Sequence, residues 1–246
     1  MPRLSFRSFA AAALGASLFC ASSLTAAADG EPQVYPPDSM GARLAACTAC
    51  HGAQGKAGPD GYYPRIAGKP ADYLYNQLRH FRDGRRQYPP MQGLLENLSD
   101  DYLKSIAGWF ADQHPPYEAS ARSRASAAAL ERGKTLAMTG DPSRKVPACA
   151  ACHGSALTGV LPAIPGLLGV PHDYISSQFG AWTNGLRKAS APDCMADIAR
   201  RMTPDDISAV AAWLSQQPPG EGLPAASLPA PLPLECGSQA TTGGAS

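Results

Sequence analysis

The chain has 246 residues, a formal net charge of +1 and only 17% charged side chains, a length that suits one or two domains. A balance this close to neutral, with no basic tract, excludes a general nucleic-acid binder. Beyond residue 28, no apolar run reaches the roughly 20 residues a membrane-spanning helix needs.

Residues 1–28 read as a secretory signal peptide. Arg3 and Arg7 form a basic head, 9–24 is an Ala-rich apolar run, and Ala26-Ala27-Ala28 is a small-residue cleavage site. Export to the periplasm, with cleavage near Ala28, is the expectation; a retained anchor would need a longer apolar run. Without Arg3 and Arg7, acidic side chains outnumber basic ones by one.

Residues 29–40 are Pro-rich and expected to be irregular. A short helix over 41–50 runs into Cys47-Thr48-Ala49-Cys50-His51. Cys-x-x-Cys-His is the attachment signal of c-type haem: each thiol adds to a vinyl group and the His coordinates the iron. A Gly-rich loop follows, then Pro64-Arg65-Ile66-Ala67-Gly68. Pro70 opens a helix reaching Gly84, with Leu74, Leu78 and Phe81 on one face. Residues 85–92 read as a loop carrying Tyr88-Pro89-Pro90-Met91. Ser99 caps a last helix with Asp100 and Asp101 in its first turn. Leu103, Ile106, Ala107 and Phe110 form its apolar stripe.

Residues 113–124, with His114-Pro115-Pro116, read as a linker. The pattern then repeats. A helix over 125–138 leads through Gly140-Asp141-Pro142 to Cys149-Ala150-Ala151-Cys152-His153. Pro162 to Gly166 is set against Pro64 to Gly68, and Pro171-His172-Asp173-Tyr174 against Pro70-Ala71-Asp72-Tyr73. Gln178 and Trp182 match Gln77 and Phe81, and Thr203 caps a final helix with Ile207, Val210, Ala211 and Leu214 on its stripe. Each unit, at roughly 90–100 residues, is small for a core of side chains alone, and a buried haem supplies apolar interior. The expected division is 1–28, 29–118, 119–217, and a Pro/Gly/Ala-rich tail, 218–246, extended or disordered.

A His/Met pair fills both axial positions in electron-carrying cytochromes c. Met91 is the candidate in the first unit. In the second, Met195 and Met202 compete. Met202 precedes the helix cap as Leu98 does, and counting back equally from each gives Met91 and Met195; Met195 is assigned to the iron and Met202 to the core. Met138 is expected in the core. The carbonyls of Pro64 and Pro162 are candidate acceptors for the other ring nitrogen of His51 and His153, an interaction that fixes the ring and tunes the metal. His80, His114 and His172 are expected at the surface. Arg79, His80, Arg82, Arg85 and Arg86 form a basic cluster suited to an acidic partner, to propionates or to solvent. Trp109, Trp213, Trp182 and Phe81 are expected to line the haem pockets.

The two Cys-x-x-Cys-His-Gly motifs, the Pro-x-Ile-x-Gly segments, the Tyr-x-x-x-Gln helices and the late Met before a capped helix resemble tandem class I c-type cytochromes, of the di-haem cytochrome c-four type, over about 40–217. The resemblance implies an all-α fold of two cytochrome c domains, each wrapped around a covalently bound haem c. It implies thioethers at Cys47, Cys50, Cys149 and Cys152, and iron ligands His51, Met91, His153 and Met195. It also implies a periplasmic electron carrier, not an enzyme, with redox partners: a terminal oxidase, a quinol-oxidising complex or a dehydrogenase. The alternatives are a cytochrome subunit of a periplasmic dehydrogenase, and a di-haem enzyme such as a thiosulfate dehydrogenase should the second iron lack Met. Two departures stand out: 141–146 is inserted before the second haem motif, and Cys194 adjoins Met195. Cys194 is left with two fates, a thiolate on the second iron or a disulfide with Cys236, for which sequence alone supplies no distance.

Overall fold

A computed structural model describes residues 34–58, 61–117, 124–219, 224–228 and 230–239. The expected signal peptide and the expected division between 118 and 119 lie outside the described residues. The fold is all-α. The first half comprises α1 (Met40–Arg43), α2 (Ala45–His51), α3 (Ala71–Arg82), α4 (Pro89–Leu95) and α5 (Asp100–Ala111). The second comprises α6 (Ala127–Met138), α7 (Cys149–His153), α8 (His172–Thr183), α9 (Cys194–Arg201) and α10 (Pro204–Gln216). A short antiparallel pair, β1 (Gly159–Val160) and β2 (Ile164–Pro165), follows α7.

Local sequence sets the helix starts. Ser99 accepts from the Tyr102 N–H, Ser126 from Ala129 and Asp193 from Ala196, each satisfying a donor that the first helical turn leaves open. Thr203 and Asp206 cap α10 reciprocally. The helix expected over 41–50 breaks at Leu44, a side chain 1% exposed that serves as C-cap of α1 and N-cap of α2.

Each half has its own core. In the first, Leu44, Leu74, Phe81 and Leu95 close against Leu103, Ile106, Ala107 and Phe110 of α5. In the second, Leu136 and Ala137 of α6 meet Val210, Ala211 and Leu214 of α10, with Ile175, Phe179 and Met202 around them. The crossing of α6 and α10 is tight at Gly133, where a Cβ would meet the Ala209 carbonyl and the Trp213 side chain. The inserted 141–146 segment pins this pair. Asp141 bridges Val146, and Arg132 of α6 donates both to Asp141 (2.8 Å) and to Asp206 of α10 (2.9 Å), while Arg144 pairs with the same two carboxylates.

Several expectations are corrected. Met138 is 43% exposed rather than core, because it falls on the last turn of α6 facing away from α10. His80 is 5% exposed rather than at the surface. Trp109 and Trp213 are not among the residues lining the cavity described below. Trp109 packs edge-on against Tyr35 and Phe110, and Trp213 packs at the α6–α10 crossing. The tail has no helix in its described part, but it is tied down: Ala225 lies parallel to Val160, and Cys236 is disulfide-bonded to Cys194.

Candidate haem sites

Each Cys-x-x-Cys-His motif forms a helix, α2 or α7, that ends on its His. The following glycine then turns the chain away at positive φ, 73° at Gly52 and 85° at Gly154. Both histidines are buried, and each ring is held by a proline carbonyl. His51 Nδ1 lies 2.9 Å from the Pro64 oxygen and His153 Nδ1 lies 2.7 Å from the Pro165 oxygen. This uses one ring nitrogen and leaves Nε2 for a metal. Burial pushes both histidines below their usual pKa, against the pull of the carbonyl contact, so the neutral, ligating form is favoured.

The acceptor in the second half is therefore Pro165, not Pro162. Setting Pro162 against Pro64 is three residues out of step. Two backbone bonds give the true register: Ile66 N–H donates to Gly55, and Leu167 N–H to Leu157, both at 2.9 Å. Val160 and Ile164 pair across the hairpin, so Pro162 sits in its turn.

Met91 and Met195 are both half-buried and both occur in the first turn of a short helix, α4 and α9. The segment expected as a loop becomes helical from Pro89, because Pro89 and Pro90 occupy first-turn positions where the missing N–H is no loss. Met202 is 9% exposed and packs in the second core, as assigned. Cys194 is in the disulfide, which removes its thiolate from consideration as a ligand, while Cys47, Cys50, Cys149 and Cys152 form no disulfide and are left for attachment to a haem.

One cavity of about 1600 Å³ joins the two halves. Cys47, Cys50, His51 and Met91 line it from one side, and Cys149, Cys152, His153 and Met195 from the other. Typical single-ligand pockets are about 300–1,000 Å³, so the space suits two large groups. Its wall is mainly apolar, with Ile66, Leu78, Phe81, Phe179 and Trp182 among the residues facing it.

The halves meet beside this cavity through a short two-stranded contact. Arg86 bridges Arg187, the Gln87 N–H donates to Leu186 (2.7 Å), and the Lys188 N–H donates to Arg85 (2.8 Å). Arg86 donates to Gln77 of its own half (3.0 Å) and across to Gln178 (2.7 Å) and Tyr174 (2.8 Å). Arg187 answers with Gln178 of its own half (2.8 Å) and Gln77 across (3.1 Å). Arg86 stacks on Phe81 and Arg187 on Trp182. The basic cluster thus turns largely inward. Arg82 is taken by Asp83, Asp100 and the Leu98 carbonyl, and Arg85 reaches the Ala189 carbonyl. The reciprocal Arg–Gln contact was missed from sequence, although the equal spacing of Gln77 to Arg86 and Gln178 to Arg187 was its signal.

The cavity's polar lining fits a haem. Trp182 Nε1 is buried and has no hydrogen-bond partner among the described residues. No carboxylate among them pairs with Arg86 or Arg187, although Arg187 is 7% exposed. A buried donor, the buried Arg187 guanidinium and the half-buried Arg86 facing one cavity call for an anionic acceptor, and haem propionates are such groups. Lys69, brought from the first half, also lines the cavity; burial pushes it down to about 8.

Comparison with known proteins agrees with this geometry. Residues 42–110 match the family described as cytochrome c oxidase, cbb3-type, subunit III, and 130–218 match the cytochrome c family. A cytochrome c4 of Pseudomonas aeruginosa is 33% identical, covering 70% of this chain and 84% of its own. The chain belongs to the di-haem class I c-type cytochromes of the c4 type. A thiosulfate dehydrogenase electron acceptor of Thiomonas intermedia is 38% identical over 86% of this chain and 91% of its own length. The crystal structure of reduced cytochrome c4 from Pseudomonas stutzeri superposes with a TM-score of 0.62 at 28% identity, covering 71% of this chain and 95% of that one. The thiosulfate dehydrogenase TsdBA from Marichromatium purpuratum gives a TM-score of 0.62 at 34% identity, over 70% of this chain and 36% of that longer chain. This di-haem cytochrome carries two covalently bound haem c groups and transfers electrons.

Proposed function

We propose that this cytochrome accepts electrons from a thiosulfate-oxidising dehydrogenase in the periplasm and passes them to a further redox partner such as a terminal oxidase. The observation that carries the reading is the match, over most of both chains, to relatives named thiosulfate dehydrogenase electron acceptor in Thiomonas intermedia and Stutzerimonas stutzeri. The partial match to TsdBA supports it: a c4-like portion there belongs to a chain named for the dehydrogenase. Export accords with a disulfide and thioether-bound haem, both features of oxidising compartments.

In this reading Cys47 and Cys50 hold one haem and Cys149 and Cys152 the other. His51 and Met91 ligate the first iron, His153 and Met195 the second. The haems supply one-electron redox chemistry. The Pro64 and Pro165 carbonyls orient His51 and His153 toward these groups, and Arg86, Arg187 and Trp182 Nε1 would hold the propionates where the halves join. With His and Met both held to each iron, thiosulfate would have no open iron to bind, and the protein would act as a carrier rather than as the dehydrogenase.

The test is stopped-flow mixing of the oxidised holoprotein with a purified thiosulfate dehydrogenase and thiosulfate. Reduction of both haems is expected only when the enzyme is present. Turnover of thiosulfate by the cytochrome alone would establish an enzyme instead. Absence of reduction, together with rapid oxidation of the reduced protein by a terminal oxidase, would favour a second reading, a carrier fed by a quinol-oxidising complex.

A further inference from the structure

Two of the contacts that the described tail residues make with the second half each adjoin one candidate ligand of the second haem. At the first, the Ala225 N–H donates to the Gly159 carbonyl (2.9 Å) and the Leu161 N–H to the Ala225 carbonyl (2.8 Å). The tail thereby extends the β1–β2 pair, in which Gly159 stands opposite Pro165, the residue whose carbonyl holds His153. At the second, Cys236 is bonded to Cys194, the immediate neighbour of Met195. The next residues continue the grip: the Gly237 N–H donates to Pro192 (2.9 Å) and the Ser190 N–H to Ser238 Oγ (3.3 Å). Asn76 of α3 donates to the Ser238 carbonyl (3.4 Å), which ties the same stretch to the first half.

The first half holds its methionine by other means. Met91 follows Pro89 and Pro90 in the first turn of α4, and the Cys194–Cys236 bond is the one disulfide among the described residues. The loop before Met195 carries Ser190, Ala191 and Pro192, and Asp193 fastens it through the Ala189 and Ala196 N–H groups. Release of Met195 would require that loop to open, and a crosslink at Cys194, the first residue of α9 just after the loop, removes open states from the ensemble.

We propose that the C-terminal tail, through Ala225 and residues 236–238, is a positioning clamp for the second haem, holding the His153 side and the Met195 side so that this iron resists ligand loss. The proposal rests on the reading of His153 and Met195 as the iron ligands. It assigns a role to a segment outside the two cytochrome units and makes the two haem sites unequal: the first relies on prolines, the second on a covalent strap.

The test is an imidazole titration of the oxidised holoprotein, following the methionine–iron charge-transfer band and the paramagnetic NMR signals of each haem. Met195→Ala identifies the second haem's signals. In the double variant Cys194→Ser/Cys236→Ser, the second haem is expected to bind imidazole at least about tenfold more tightly (about 1.4 kcal/mol), with the first haem and the far-UV spectrum unchanged. Ala225→Pro keeps the disulfide but removes the N–H donated to Gly159; a smaller gain at the same haem is expected, and this variant decides the matter should the double variant not accumulate. Unchanged affinity at the second haem, or an equal gain at both, would overturn the clamp while leaving the ligand assignment intact. Absence of a methionine signal from the second haem of the wild-type protein would overturn the ligand reading, and the clamp with it.

Discussion

Arg86 and Arg187 face each other across the boundary between the halves, each donating to both Gln77 and Gln178. Two guanidinium groups this close, one buried and one half-buried, repel, and no carboxylate among the described residues offsets them. Anions nearby would offset the repulsion, and the propionates of two haems are such groups. Replacing either arginine by Met leaves each glutamine oxygen with one donor instead of two, and for Arg86 removes the bond to the Tyr174 hydroxyl, at about 1 kcal/mol. It also removes a positive charge beside the irons, which favours the oxidised state. Arg86→Met and Arg187→Met are therefore expected to lower the reduction potential of at least one haem, measured by spectroelectrochemical titration, and to lower the denaturation midpoint.

The methionines separate cleanly by substitution. Met91→Ala and Met195→Ala are each expected to abolish the methionine–iron band of one haem and leave the other. Met202→Ala is expected to leave both bands and to cost about 2–5 kcal/mol through the cavity it opens in the second core. Loss of a band in Met202→Ala would move the second ligand to that position.

The α6–α10 crossing makes a steric prediction. At Gly133 the helices are so close that any side chain must displace the Ala209 backbone or Trp213. Gly133→Val is expected to destabilise the second half by about 1–3 kcal/mol or more, seen as an earlier unfolding transition with the first half's transition unmoved.

Asp206 makes a pH prediction. Burial works to raise its pKa from 3.8, but Thr203, Arg132 and Arg144 outweigh burial and hold it at about 2. The folded state therefore binds this proton less readily than the unfolded chain. Its stabilising contribution is complete above the unfolded value and is lost as pH falls from about 4 toward 2, roughly 2 kcal/mol over that window. Asp141, held low by Arg132, Ser143 and Arg144, adds in the same direction. Urea unfolding of the wild type across that range is expected to show a steep loss, and Asp206→Asn a shallower one from a lower starting stability.

What the sequence revealed followed from how local each signal is. The haem motifs, the Ser99 and Thr203 caps and the stripes of α5 and α10 depend on neighbours within a turn or two, and they stand as read. The proline acceptor did not: Pro162 resembles Pro64 in its flanking residues, but hairpin pairing between Val160 and Ile164 decides which carbonyl reaches His153. His80 was misplaced because its helix end looks solvated in sequence, whereas the second half covers it. The Cys194–Cys236 bond was left open because a sequence separation of 42 says nothing of a Cα–Cα distance of 5.1 Å. The inserted 141–146 segment was visible as an insertion, but its pairing with Asp206 depends on a helix far along the chain.

The contact between the halves has the same surface on both sides, Gln77, Phe81 and Arg86 meeting Gln178, Trp182 and Arg187. This is the geometry of an isologous dimer written into one polypeptide. In a dimer of separate chains the pairing would weaken on dilution; here the linker fixes the local concentration of one half around the other. The distance between the two redox centres is thereby independent of how much protein is present.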